Sequence, residues 1–190
     1  MTTINKKELL RWALAEHAFQ EADSLAQYIV EAKIESGSHL YAACIAGVAS
    51  CYCRPFLGAG GLGSLPPEMK NLTQFQGIQH ERLLRQVHQM LFDIRNKIST
   101  HFDQVFNEQL HQKGAVKDSP SEVIFEISGH GQHTVVVNTT NIDPKILTAV
   151  HGLCLLQKER VSRKLAEFGA EILLDNNGRF GRYVFSAATP

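Results

Sequence analysis

The chain has no excess of charge of either sign: 19 Lys plus Arg offset 19 Asp plus Glu over 190 residues. That balance excludes a protein that draws polyanions through its overall field. Nine histidines stand outside the sum and add positive charge only toward pH 6. Long apolar runs are missing as well. The longest, Tyr41 to Val48, falls far short of the ~20 residues that span a bilayer, so no membrane partner is expected. Cysteine is sparse. Cys44, Cys51, Cys53 and Cys154 each sit in apolar surroundings, as reduced thiols of a cytoplasmic protein do, and give no disulfide framework. The opening Met-Thr-Thr-Ile-Asn-Lys-Lys has the pattern of neither a signal nor a transit peptide. The Asn71-Leu72-Thr73 sequon is therefore expected to be without consequence. Internal repeats and low-complexity segments are absent too.

What is present is helical periodicity. Residues 5–35 carry a broad apolar stripe (Leu10, Trp12, Leu14, Ala18, Phe19, Ala22, Leu25, Ile29, Val30), opened by an Asn5/Glu8 capping box and stopped near Gly37. Ser38 caps a second helix to about Tyr52, rich in small residues and halted by Pro55. Residues 56–76 read as an irregular loop, because Gly58 to Pro67 holds four glycines and two prolines. A third helix runs from about Ile78 to Leu110, with Leu84, Val87, Leu91, Ile94, Ile98 and Val105 on one face. Val123 to Ile127 and Thr134 to Asn138 read as two strands of a hairpin around Gly129-His130-Gly131. Asp143 and Pro144 open a last helix to about Leu173. An Asn176-Asn177-Gly178 turn and a short strand at Arg182 to Phe185 follow. The expected fold is mainly α: one domain over 1–190, a bundle of four or five helices. A small β-hairpin insertion at about 122–139 precedes the last long helix, and a tail covers 176–190.

Two motifs dissolve on inspection. Gly58-x-Gly60-x-x-Gly63 has the letters of a dinucleotide fingerprint, but it follows a helix ending in Arg54-Pro55 and precedes two prolines. The fingerprint needs a strand before it and a helix after it. Cys51-x-Cys53 lacks the two-residue spacer and second ligand pair of a zinc site. His130 and His133 fit an exposed polar turn better than a chelate. No cofactor and no metal is called for.

The third helix holds the functional lead. Arg95 and His101 are six positions apart, hence ~9 Å along the axis and ~120° around it. They do not reach each other, but they can touch two parts of one phosphodiester. The guanidinium offers a planar fork to phosphate oxygens, and the imidazole exchanges a proton near neutral pH. Asn96 and Thr100 add uncharged donors. A plain alternative stands beside this: Arg95 pairs with a neighbouring carboxylate, His101 is a boundary residue, and Asp93/Lys97 is an ordinary i,i+4 pair.

Ile94-Arg95-Asn96-Lys97-Ile98-Ser99-Thr100-His101-Phe102-Asp103 resembles the signature of the HEPN superfamily: Arg, a polar residue, then His four to six positions later on a long helix. Asp103 is similar to the Ala-His-x-Asp ending of members linked to phage resistance, with Thr100 where Ala is usual. Cys51-Tyr52-Cys53-Arg54-Pro55-Phe56 resembles a Tyr-x-Arg-Pro-Phe element of some relatives. The resemblance implies a metal-independent endoribonuclease, a toxin or antiphage effector. It also implies a homodimer whose two motif helices line one cleft, with an antitoxin protein as a further partner. His101 would then be the general base or acid, Arg95 would stabilise the phosphorane charge and Asn96 would orient. Arg54 and Lys97 would contact RNA phosphates. Two other readings keep the same residues. In one the cleft binds nucleotide, RNA or protein without turnover; in the other Arg95 and His101 only join two subunits.

Overall fold

The Glu8 amide donates to Asn5 Oδ1 at 3.1 Å, and from this cap the chain runs as helix α1, Lys6–Glu31. The computed structural model describes residues 5–36, 38–58, 61–72, 78–99, 123–127, 133–137 and 146–185. Helix α1 stops before the expected Gly37, which lies outside the described residues. Lys33 takes a left-handed conformation at φ 50°. The Lys33 and Ile34 amides then donate back to the Val30 and Ile29 carbonyls at 3.2 and 3.1 Å. This is the double bond of a Schellman ending with lysine in the usual glycine position.

Helix α2 spans His39–Leu57, and its Ser38 cap accepts from the Tyr41 amide at 3.1 Å. Here the expected stop is corrected: Pro55 lies inside the final turn, and the helix ends only at left-handed Gly58, φ 72°. A proline this late removes a single intrahelical donor. The Pro55 carbonyl is taken by the Leu65 amide at 2.8 Å. A Cβ on Gly58 would sit 3.1 Å from the Ser64 nitrogen, so the returning chain needs glycine there.

The segment after α2 is more ordered than its composition implies. Pro67–Lys70 forms one 3-10 turn, and Leu65, Met69 and Leu72 are buried. Helix α3 covers Ile78–Ser99, with Val87, Leu91 and Ile94 in the core. Strands β1, Val123–Ile127, and β2, His133–Val137, pair antiparallel with Val123 opposite Val137. Helix α4 spans Ile146–Asp175. Asn177 and Gly178 then reverse the chain at φ 53° and 71°, and the Gly178 amide reaches the Leu173 carbonyl at 2.7 Å. The strand expected at Arg182 to Phe185 is not formed. The Tyr183 hydroxyl instead bonds the Arg179 carbonyl at 2.6 Å, which folds this segment back on itself. Residues 100–122, the 128–132 connection and the Asp143/Pro144 helix start lie outside the described residues.

The four helices make a bundle with α1 packed on both α2 and α4. Phe19 on α1 meets Tyr52 and Phe56 on α2, while Leu25, further along α1, meets Gly47, earlier on α2, so these two helices are antiparallel. Helix α4 is antiparallel to α1 as well, because Ser162 bonds Glu16 and His151 bonds Asp23. Gly47 brings α2 close: a Cβ there would lie 3.2 Å from Leu25 Cδ1. Phe19, Tyr52 and Phe56 form a triangle with every centroid distance 5.6 Å. Each such buried ring stabilises by about 2–3 kcal/mol. Among the described residues, α2 is the one helix long and apolar enough to cross a membrane by length and composition. In the bundle its Tyr41, Ile45, Val48, Ala49, Tyr52, Cys53 and Phe56 face is buried.

Candidate functional site

Helix α3 carries two adjacent stripes. Val87, Leu91 and Ile94 point into the core. One residue further on, at the same four- and three-residue spacing, His88, Phe92 and Arg95 form a half-buried edge. This edge faces α2 and the 3-10 turn. His88 stacks edge-on against Tyr52 and Phe56, with centroids 5.6 and 5.5 Å apart. Phe92 lies 5.7 Å from Phe56 and 4.9 Å from His88. Lys70, from the turn, places its ammonium 5.7 Å from the Phe92 centroid.

The Tyr52 hydroxyl and His88 Nδ1 are 2.7 Å apart. Burial holds the His88 imidazole down at about 4, and the Lys70 charge adds to the effect. Burial also pushes the Tyr52 phenol well above its ordinary value. With both groups neutral, Tyr52 donates and Nδ1 accepts. His88 is therefore occupied in holding α2 to α3 and is a poor base at neutral pH.

Arg95 is half-buried one turn beyond Phe92, and its Nη1 donates to Asn96 Oδ1 at 3.3 Å. Its charge acts on the Cys53 thiol together with those of Asp93 and Lys70. Burial dominates there and drives Cys53 up to about 12, so the thiol stays protonated. Lys70 approaches the α3 edge at Phe92, one turn before Arg95, and the charges of Arg95, Asp93 and Lys70 all reach Cys53, so the two cations share this edge with a carboxylate. A guanidinium and an ammonium so placed suit an oxyanion, the first through a planar fork and the second as a point charge.

Arg54 lies elsewhere. Successive residues on a helix point ~100° apart, so with Cys53 turned toward Arg95, Arg54 turns onto α1. There it forms a 3.2 Å ion pair with Glu21 and approaches Cys51 Sγ at 3.8 Å. Of the residues singled out from sequence, the structure brings Arg95 and Asn96 together and sets Arg54 apart. His101 and the Lys97 side chain lie outside the described residues. Lys70 was missed because it belongs to a segment read as irregular. Its only sequence signal is a basic residue following two prolines and an acid, in Pro66-Pro67-Glu68-Met69-Lys70.

The turn bearing Lys70 is fixed from α4. Arg160 Nη1 donates to the Met69 and Asn71 carbonyls at 3.1 and 3.2 Å, and Nη2 donates to Glu68 at 2.7 Å. Fully buried Gln157 adds a bond from Nε2 to the Met69 carbonyl at 3.0 Å. One guanidinium and one amide therefore position the loop cation.

Compared with known families, with characterised proteins and with solved structures, the chain matches none. The HEPN resemblance accordingly rests on the motif residues and on helical architecture.

Proposed function

We propose that the chain is a metal-independent endoribonuclease of the HEPN kind, acting as a homodimer in the cytoplasm. In this reading the α3 helices of two copies face each other. Arg95 neutralises charge on the phosphorane, and Asn96 orients the guanidinium or the substrate. His101 removes the ribose 2′-proton or protonates the leaving oxygen. Lys97 contacts a flanking phosphate, and Lys70 takes the auxiliary phosphate role that sequence assigned to Arg54. The paired strands close as a hairpin inserted ahead of α4. A toxin or antiphage effector restrained by an antitoxin fits such an activity.

The observation that carries the reading is the placement of half-buried Arg95, hydrogen-bonded to exposed Asn96, one turn beyond Phe92 on the α3 edge that Lys70 approaches. The test is RNA cleavage by purified protein in EDTA. His101→Ala should abolish cutting, and Arg95→Ala should reduce it by about 100-fold or more. Cleavage that survives His101→Ala removes that residue from the mechanism.

A second reading keeps the site and drops the chemistry. The zero net charge and the neutralisation of Arg54 by Glu21 favour a binding module over an avid nuclease. RNA binding without products over hours would establish it.

A further inference from the structure

A second polar centre lies on the other side of the bundle, between α1 and α4. Asp23 occupies the buried stripe of α1, with only 4% of its side chain exposed. Its Oδ1 is 2.6 Å from Nδ1 of His151 on α4. At that separation a proton lies between the two atoms, so Nδ1 carries it and the carboxylate accepts. The Gln27 amide, 3.4 Å from the same oxygen, is the second donor. Its 3.1 Å approach to Nδ1 is then a close contact only.

The consequence concerns the opposite edge of the ring. A carboxylate that fixes the proton on Nδ1 leaves the lone pair on Nε2, and it makes that nitrogen a stronger acceptor. His151 is 39% exposed, and because Nδ1 points inward at Asp23, the exposed edge is the Nε2 edge. His151 lines an open cleft of about 180 Å³ together with the apolar Ala26, Val30 and Leu147. Thr148 and Glu31 also line it. An apolar cavity near 150 Å³ accommodates a benzene-sized guest, so the volume here fits one six-membered ring with a small substituent. The Glu31 carboxylate disfavours an anionic guest.

We propose that this cleft binds a neutral single-ring aromatic molecule with one hydrogen-bond donor, a phenol or an azole, whose O–H or N–H bonds His151 Nε2. The ring packs on Val30 and Leu147, and Asp23 acts as a positioning residue that sets the tautomer. This site is independent of the nuclease reading, since its residues belong to α1 and α4 while Arg95 is on α3 and Lys70 on the 3-10 turn.

The test uses two probes of nearly equal shape, p-cresol and p-xylene, in which a methyl replaces the hydroxyl, added to the full chain labelled for NMR. Saturable p-cresol shifts centred on Ala26, Val30 and Leu147 are expected, with p-xylene binding about tenfold more weakly for want of a donor. His151→Asn keeps an amide donor for Asp23 but has nothing at the Nε2 position. It should weaken p-cresol to the level of p-xylene and leave p-xylene unchanged. Equal affinity for the two probes, or shifts centred elsewhere, overturns the proposal. The probe comparison on the unaltered chain decides the matter even if the variant fails to fold.

Discussion

The Tyr52 hydroxyl donates to Nδ1 of His88 across the α2–α3 contact, an arrangement that requires the unprotonated imidazole nitrogen. The folded His88 titrates near 4, while in an unfolded chain it titrates near ~6.5. The unfolded state therefore binds the proton more tightly. Stability from this residue is fully present above pH ~6.5 and is lost as the pH falls toward 4. With allowance for the partly solvated ring edge, the loss is on the order of 2 kcal/mol. His88→Asn should flatten that part of the stability profile, as measured by urea denaturation at several pH values. A slope unchanged by the substitution would show that another group governs acid sensitivity.

Lys33 pays a conformational penalty at the end of α1, being a non-glycine residue at positive φ. Lys33→Gly should raise stability by about 0.5–1 kcal/mol, less what glycine adds to the entropy of the unfolded chain. The midpoint of urea denaturation should rise while its slope stays the same. A lower midpoint would mean that the lysine side chain contributes more than the backbone strain removes.

Arg160 makes three bonds to the 67–71 segment. Arg160→Ala should cost roughly 2–3 kcal/mol. Amide exchange at Met69 and Asn71, which close the 3-10 turn, should accelerate before that of the helices. Lysine has no fork to span several carbonyls, so Arg160→Lys should recover less than half of the loss.

The four thiols should differ sharply toward an alkylating agent. Cys53 and Cys154 are fully buried, and burial drives both up to about 12, helped at Cys154 by the nearby Asp23 charge. Cys44 and Cys51 are only partly covered. Mass spectrometry of native protein treated with iodoacetamide should find label on Cys44 and Cys51 and none on Cys53 or Cys154 until the chain unfolds.

Much of the bundle was legible because local chemistry and burial agree there. Asn5 and Ser38 cap as their residue types predict, and Val87, Leu91 and Ile94 are buried as their spacing predicts. Legibility failed where tertiary contacts override local preference. Pro55 stays within the helix because so late a proline costs one donor only, its carbonyl being taken by Leu65, and the glycine- and proline-rich loop is held by Arg160, some 90 positions away. At the candidate site Arg95 and Asn96 were readable from one helix. Lys70 was not, since its approach to Phe92 depends on that same distant arginine. Asp23 left a clearer trace, a carboxylate one residue after Ala22 in an otherwise apolar stripe. Its partner His151 is 128 positions away, and no periodicity announces such a pairing.

The mating of α1 with α4 has a consequence for biosynthesis. While a ribosome is still producing residues before 146, the nascent chain can join α1 to α2 but does not yet have α4 to pack on α1. The carboxylate of Asp23 then lacks its imidazole, and the segment around Met69 lacks its anchor. Closure over so long a separation is slow relative to local helix formation. The emerging polypeptide consequently passes through a stage in which the apolar face of α1 that α4 covers is exposed, the kind of surface that favours aggregation until the last long helix arrives.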